Sequence, residues 1–220
     1  MFHLYMKKFV NEIYFLILAL NLIQRKMALK GQKTKSDFVE WDKLQSLILK
    51  LERDGEKKFA LLISIGIYSG LRISDILSLR WTEILNKEFI EVVERKTKKF
   101  RRVRINQNLK EIISRVFNSG DNEINNLVFI NRFETSSISV QYVNRRLKEL
   151  AEEYKFSKEP GKIKSHSLRK SFGRRVFESN DNSEKSLVLL SEIFNHASIK
   201  TTKIYLGIRE KEMFDVYDRL

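Results

Sequence analysis

Apolar and polar positions change period twice along the chain. Phe59–Tyr68 reads FALLISIGIY and is apolar on most faces of a helix, so the spacing predicts a central, buried helix over Lys57–Ser69. A first helix precedes it within residues 38–54. Asp42 is a candidate cap for that helix, and Gly55 breaks it after Leu51-Glu52-Arg53-Asp54. From Glu88 to Ile105 the period drops to two (EFIEVVERKTKKFRRVRI), which predicts a β-hairpin with its turn near Lys96 to Phe100. Leu127–Ile130 is a candidate third strand. Beyond Ser137 the helical period returns over Ser139–Tyr154, Ser167–Glu178, Ser183–Phe194 and Ser198–Leu206, with a Pro160-Gly161 turn after the first. Ile208–Leu220 reads as a further helix with Met213, Phe214, Val216 and Tyr217 apolar. The expected class is mainly α with a small antiparallel β-sheet (α+β), without internal repeat or low-complexity tract.

Composition sharpens this picture. The chain has 220 residues with 42% hydrophobic and 11% aromatic, enough for a real core, and only eight glycines and one proline. No cysteine is present, which excludes disulfides, thiolate catalysis and cysteine zinc sites. His3, His166 and His196 are scattered and form no HExxH pair. Near the N-terminus, the uncharged run Ile13 to Gln24 spans twelve residues, short of the ~20 a helix needs to cross a bilayer. The basic start resembles a signal peptide but lacks a small-residue cleavage site, so this segment reads as a packing or oligomerising helix. Residues 27–37 (MALKGQKTKSD) form a polar, basic linker.

Charge narrows the partner. With 42 Lys and Arg against 28 Asp and Glu, the net charge is +14, a field that attracts polyanions, nucleic acid first and anionic membrane second. The excess is concentrated: seven of the ten residues from Arg95 to Arg104 are basic (Arg95, Lys96, Lys98, Lys99, Arg101, Arg102 and Arg104). Like charges repel across a hairpin unless an anion neutralises them, so the run favours a nucleic-acid contact over a solvated face.

Four short pieces carry candidate chemistry, each beside a blander reading. In Ser69-Gly70-Leu71-Arg72-Ile73-Ser74-Asp75, Gly70 ends the central helix, Ser74 is a plausible N-cap of the next, and Arg72 sits at the junction. There it suits a bidentate grip on phosphate; the alternative is a surface arginine in a turn. Lys96 lies in the hairpin turn. In Lys164-Ser165-His166-Ser167-Leu168-Arg169-Lys170-Ser171-Phe172, Ser165 or Ser167 is a candidate cap. His166 and Arg169 share one side of the first helical turn, which makes a phosphate site or an ordinary basic cap. Finally Asn195-His196 closes one apolar helix, Ser198 caps IKTTKIYL, and Tyr205 rides it, as a nucleophile or as one of seven tyrosines.

Taken in order, Arg72, Lys96, His166-x-x-Arg169, Asn195-His196 and Tyr205 resemble the tyrosine recombinase (phage integrase) family, over roughly residues 36 to 210. The most telling stretches are Gly-Leu-Arg-Ile-Ser-Asp, His-Ser-Leu-Arg-Lys-Ser-Phe and Asn-His-Ala-Ser-Ile-Lys-Thr-Thr-Lys-Ile-Tyr. The resemblance implies the family's catalytic-domain fold and DNA strand cleavage and rejoining through a 3′-phosphotyrosine on Tyr205, without metal, ATP or other cofactor. It implies Arg72, Arg169 and His196 on the phosphate, Lys96 as general acid, and His166 as base or orienting group. Arg95, Lys98, Lys99, Arg101, Arg102, Lys170, Lys200 and Lys203 are expected DNA contacts. The expected partners are double-stranded DNA and further copies of the chain, as a tetramer held through the C-terminal helix, with no stable membrane association, in the bacterial cytoplasm at the nucleoid.

The chain departs from the family pattern in places. Phe194-Asn195-His196 stands where Leu-Gly-His is frequent, and asparagine also accepts a left-handed helix end. Asp75 stands where glutamate is common, with an expected role in buttressing Arg72 or the following helix. Residues 1–35 are expected to be an N-terminal helical extension and basic linker in place of a full core-binding domain, as in a minimal recombinase or a truncated product, and residues 36–220 are expected to form the catalytic domain with its tail helix. Three other readings compete: a catalytically silent DNA-binding regulator, a nick-and-reseal enzyme like the type IB topoisomerases acting alone, and a membrane-associated protein resting on residues 8–24.

Overall fold

Helices α1 (Trp41–Arg53) and α2 (Lys57–Ser69) open the fold. In α1, Leu44, Leu47, Ile48 and Leu51 recur at three- and four-residue spacing and are buried on one face. In α2 every residue from Phe59 to Ile67 is buried, so this helix lies at the centre of the core, and each such leucine or isoleucine contributes about 1.5–3 kcal/mol relative to exposure. The computed structural model describes residues 36–120, 122–208 and 217–218. The apolar helix expected near the N-terminus and most of the C-terminal tail helix lie outside the described residues.

After two short helices, α3 (Ile73–Ile76) and α4 (Trp81–Ile84), the hairpin β1 (Phe89–Val93) and β2 (Phe100–Arg104) pairs antiparallel, Phe89 opposite Arg104 and Val93 opposite Phe100. Its turn comes slightly earlier than the sequence suggests: Glu94 and Lys99 close it, with Lys98 at φ 58°. Helix α5 (Gln107–Asn118), which the pattern reading passed over, is capped by Asn106 and buries Leu109, Ile112, Ile113 and Val116 against the core. Leu127–Ile130 is not a third strand. It makes two isolated bridges, Arg80 to Leu127 and Ile130 to Ser137, and buries Val128 and Phe129. The segment is too short to extend a ladder, and its apolar residues serve packing instead.

Helix α6 (Val140–Glu153) starts on Ser139, whose Oγ accepts from Tyr142 N at 3.1 Å. Helices α7 (Ser165–Glu178), α8 (Glu184–Phe194) and α9 (Ile199–Leu206) follow. Ser183 and Ser198 cap α8 and α9. Three expected caps are displaced. Glu40, not Asp42, precedes α1. Arg72, not Ser74, precedes α3. Lys164 precedes α7, with Ser167 Oγ accepting from its N–H at 3.1 Å.

Glycine sets how closely α7 approaches its neighbours. A Cβ on Gly66 would stand 2.9 Å from Leu168 Cβ, and one on Gly70, at φ 58°, would stand 2.5 Å from the Phe172 ring. The four-residue glycine spacing therefore marks close helix packing. Beyond α7, Phe177, Leu187, Leu190, Phe194, Leu206 and Ile208 form a second, smaller apolar cluster. Gly173 lets it close, since a Cβ there would meet Leu206 Cδ2 at 2.6 Å and Phe194 Cε2 at 2.9 Å.

Candidate active site

Two rigid junctions deliver the two arginines. Gly70 ends α2 in the left-handed conformation and the chain turns at once into α3, leaving Arg72 between two helices. Arg169 lies in the first turns of α7 and is 3% exposed. Their guanidinium groups meet at one acceptor: Arg72 Nη2 donates to the Phe194 carbonyl oxygen at 3.4 Å, and Arg169 Nη2 donates to the same oxygen at 3.1 Å. That carbonyl ends α8, where backbone acceptors lack helical partners. Arg169 Nη1 also donates to the Gly70 carbonyl, and its guanidinium lies 4.4 Å above the centre of the Phe194 ring. Burial pushes the Arg169 pKa down to about 10, still far above neutrality.

The nucleophile candidate arrives from the other side. Asn195 takes the left-handed conformation expected of it (φ 52°), turning the chain from α8 toward α9, and Gly207 ends α9 at φ 72°. Between them Tyr205 packs edge-on against His196 (5.1 Å between ring centres) and Phe194 (5.4 Å). Its hydroxyl is buried without a well-formed hydrogen bond. Burial raises the Tyr205 pKa to about 12, opposed by Arg169 and Arg72. The phenol is therefore protonated at neutral pH and sits in the field of both arginines.

The imidazoles have different settings. His196 Nδ1 lies 3.0 Å from Thr202 Oγ1, about one turn into the next helix and fully buried. Burial, then Arg169, Arg72 and Lys96, hold the His196 pKa below 6.5. His166 is exposed, yet enough protein surrounds the ring that desolvation is the largest cause lowering its pKa, followed by Arg169, Lys96, Lys170 and Arg72. Both rings are neutral at pH 7. Lys96 is exposed in the hairpin turn, near enough to influence both histidines.

The expected DNA-contact residues divide. Arg95, Lys98, Lys99, Arg102 and Lys200 are exposed. Lys99 Nζ donates to Asn195 Oδ1 at 2.7 Å, and Arg102 pairs with Glu91 at 3.0 Å and stacks 3.8 Å above Phe89. Arg101 points the other way. It donates to Ser69 O at 2.7 Å and to Gly70 O at 3.4 Å and pairs with Glu94 at 3.5 Å, so its guanidinium is held by internal partners. Lys170 Nζ donates to Ser36 O at 2.7 Å and lies 5.5 Å from the centre of the Tyr205 ring. Lys203, on α9, is half-buried.

Sequence reasoning missed Glu94, which is 2% exposed and pairs with Arg72 at 2.5 Å. Burial alone would raise its pKa, but the Thr97 hydroxyl, Arg72 and Arg101 outweigh that and hold the carboxyl below its usual range. The protein thus supplies part of the anion that the basic hairpin demands. The signal was available, because Glu94 is the lone acid between residues 92 and 110. Asp75 is structural as expected but has a different partner: its Oδ1 accepts from the Arg95 backbone N–H at 3.0 Å, bracing the hairpin.

Comparison with known proteins identifies the family and the fold. The profile of the phage integrase family matches residues 37–212, and the chain belongs to that family. It is 32% identical over 169 residues to the probable integrase/recombinase YoeC of Bacillus subtilis, covering 77% of this chain and 87% of that one. It is 28% identical over 185 residues to a tyrosine recombinase of Thermosipho africanus, covering 84% of this chain and 62% of that one. Among solved structures, the XerA recombinase superposes with a TM-score of 0.62 at 20% identity, covering 83% of this chain and 64% of that one. XerH bound to its palindromic difH substrate superposes with a TM-score of 0.60 at 19% identity, covering 86% of this chain and 54% of that one. The fold is shared with these structures, and the chain spans under two thirds of several of these relatives.

Proposed function

We propose that this member of the phage integrase family is a site-specific recombinase that cuts and rejoins double-stranded DNA through a phosphotyrosine at Tyr205. The observation that carries this reading is the shared Phe194 carbonyl, where the Arg72 and Arg169 guanidiniums converge beside the Tyr205 ring. Two guanidiniums able to share one oxygen of the protein are able to share the non-bridging oxygens of one phosphate.

In the forward step the Tyr205 oxygen attacks phosphorus, the P–O5′ bond breaks, and a 3′-phosphotyrosine forms. A phenol with a pKa of about 12 needs its proton removed during attack. Neutral His166 accepts that proton or orients the group that does. Lys96 protonates the leaving 5′-oxygen. His196, with Nδ1 accepting from the Thr202 hydroxyl, presents Nε2–H to the phosphate. Rejoining is the same path reversed by a new 5′-hydroxyl, so the bond energy is kept in the ester and no nucleotide is consumed.

The remaining basic residues fit the role of backbone contacts: Arg95, Lys98, Lys99, Arg102 and Lys200 are on the surface, where counterion release favours binding. Residues 36–220 would form the catalytic domain. The apolar positions of the tail would join copies of the chain on DNA, at the nucleoid in the cytoplasm. Among the described residues no helix is long and apolar enough to cross a membrane.

The test is incubation of the full chain with suicide half-sites cut from its own genomic flanks. An SDS-stable, protease-sensitive adduct is expected, and Tyr205→Phe removes it while DNA binding persists. Binding without an adduct on any flanking DNA favours the silent regulator instead.

A further inference from the structure

We infer that Glu94 is a positioning residue that makes the Lys96 turn and the Arg72 junction a single mechanical unit. This inference rests on the reading of Lys96 as general acid. The turn is built around Glu94. Its backbone N–H donates to Lys99 O at 2.9 Å and its carbonyl accepts from Lys98 N at 2.8 Å. Its carboxylate accepts from the Thr97 hydroxyl at 2.6 Å, so side chain and backbone together fix the turn from which the exposed Lys96 projects.

The same turn is fastened twice to the segment that carries Arg72. Glu94 Oε2 pairs with Arg72 Nη1 at 2.5 Å, and one residue on, Arg95 N–H donates to Asp75 Oδ1 at 3.0 Å. The two links run in opposite senses: acid of the turn to base of the junction, then amide of the turn to acid of the junction. Arg101, on the returning strand, closes the far side of Glu94 at 3.5 Å and hangs from the Ser69 and Gly70 carbonyls at the end of α2.

The arrangement costs stability, since Asp75 Oδ2 is buried without a hydrogen-bond partner and the ion-paired Glu94 carboxylate is taken almost wholly out of water. A site concerned only with stability gains nothing from such acceptors, and apolar residues of similar size would fill the space at lower cost. A site that must bring a phosphate-binding arginine and a proton-donating lysine to one phosphodiester gains fixed spacing between two groups 24 residues apart in the chain (Arg72 and Lys96).

The experiment measures covalent adduct formation by the full chain on two half-sites, one with the natural 5′-bridging oxygen and one with sulfur there. A thiolate leaves without protonation, so sulfur restores whatever rate depends on the general acid. Lys96→Ala serves as reference, with a large loss on oxygen and a small one on sulfur. Glu94→Gln keeps size and removes charge. The expected result is a rate on oxygen lower by about 10- to 100-fold, less than the roughly 10²–10⁴-fold that a general acid supplies because Lys96 itself remains, and a sulfur-to-oxygen rate ratio raised several-fold over wild type. In the double variant Glu94→Gln/Lys96→Ala the losses on oxygen fall short of multiplying, as for groups acting together.

Thr97→Val covers the case in which Glu94→Gln does not fold. It removes one hydrogen bond to the carboxylate and is expected to raise the same ratio to a lesser degree. An unchanged ratio in both variants, with Lys96→Ala still rescued by sulfur, overturns the inference and leaves the proposed function standing. A wild-type chain that forms no adduct on either substrate overturns both.

Discussion

The two apolar clusters of this protein hold opposite halves of the chemistry. The large one is built around α2 and fixes the cations: Gly70, Arg72, Arg101 and Arg169 all bond to one another's backbone or to buried carboxylates. The small one holds α8 and α9 and carries Tyr205, which has ring neighbours and whose hydroxyl has Arg169 nearby but no hydrogen bond of good geometry. The difference fits the roles proposed for each half. Charge stabilisation is most effective when the donors need no rearrangement. A nucleophile must approach, form a bond and later release it, which suits an eight-residue helix capped by Ser198 and set off by left-handed residues at Asn195 before it and Gly207 after it.

The largest effect is expected from the fixed half. Arg169→Lys keeps the charge but loses the fork that holds the Gly70 and Phe194 carbonyls together. Adduct formation should fall by roughly 10²–10³, the scale for losing one transition-state donor. A variant within threefold of wild type would mean that charge alone suffices and that the shared carbonyl is incidental.

Truncations of the two clusters sharpen the contrast. Leu62→Ala and Leu190→Ala each remove a fully buried leucine, with an expected cost of about 2–5 kcal/mol. Leu62→Ala should lower the melting temperature while the protein that remains folded at 25 °C still forms adduct. Leu190→Ala should slow adduct formation about tenfold or more under conditions where circular dichroism is native. Equal behaviour of the two would erase the distinction between scaffold and moving part.

The pH dependence is the gentlest lever. His166 and His196 both have folded-state pKa values below 6.5, so the unfolded chain binds more protons as pH drops through that value. Their contribution to stability is present above pH 6.5 and lost on acidification. Adduct formation should decline in the same window as the proton acceptor fills, and His166→Ala should flatten that limb. Tyr205 has the opposite sign: its pKa is raised to about 12, so its contribution holds below pH 10 and fades only as pH rises toward that value. A rate that climbs tenfold per pH unit between 7 and 9 would contradict a fully protonated phenol assisted by a neighbouring base.

Much of this was legible in the sequence because periodicity and punctuation agreed locally. The run at Phe59–Ile67 could only be central, and Gly70 and Asn195 could only end helices. The polar groups of the candidate site were readable by type and order. Their partners were not, because hydrogen bonds to backbone carbonyls leave no trace in residue identity: Phe194 O and Gly70 O organise the arginines, and neither residue looks chemical. The inward direction of Arg101 was hidden for a related reason. Strand alternation sends it inward beside Val92 and Val103, but a run of seven basic residues hides which of them faces the core. Glu94 was overlooked as one acid within that run. Leu127–Ile130 had the composition of a strand and lacked a neighbour of matching length.

The most direct measurement is the identity of the residue that holds the DNA. After adduct formation, nuclease digestion and trypsin, mass spectrometry should find a nucleotide remnant on the peptide that follows Lys203, attached to Tyr205, and none in the Tyr205→Phe variant. A remnant on Tyr217 or on any serine of α7 would contradict the account.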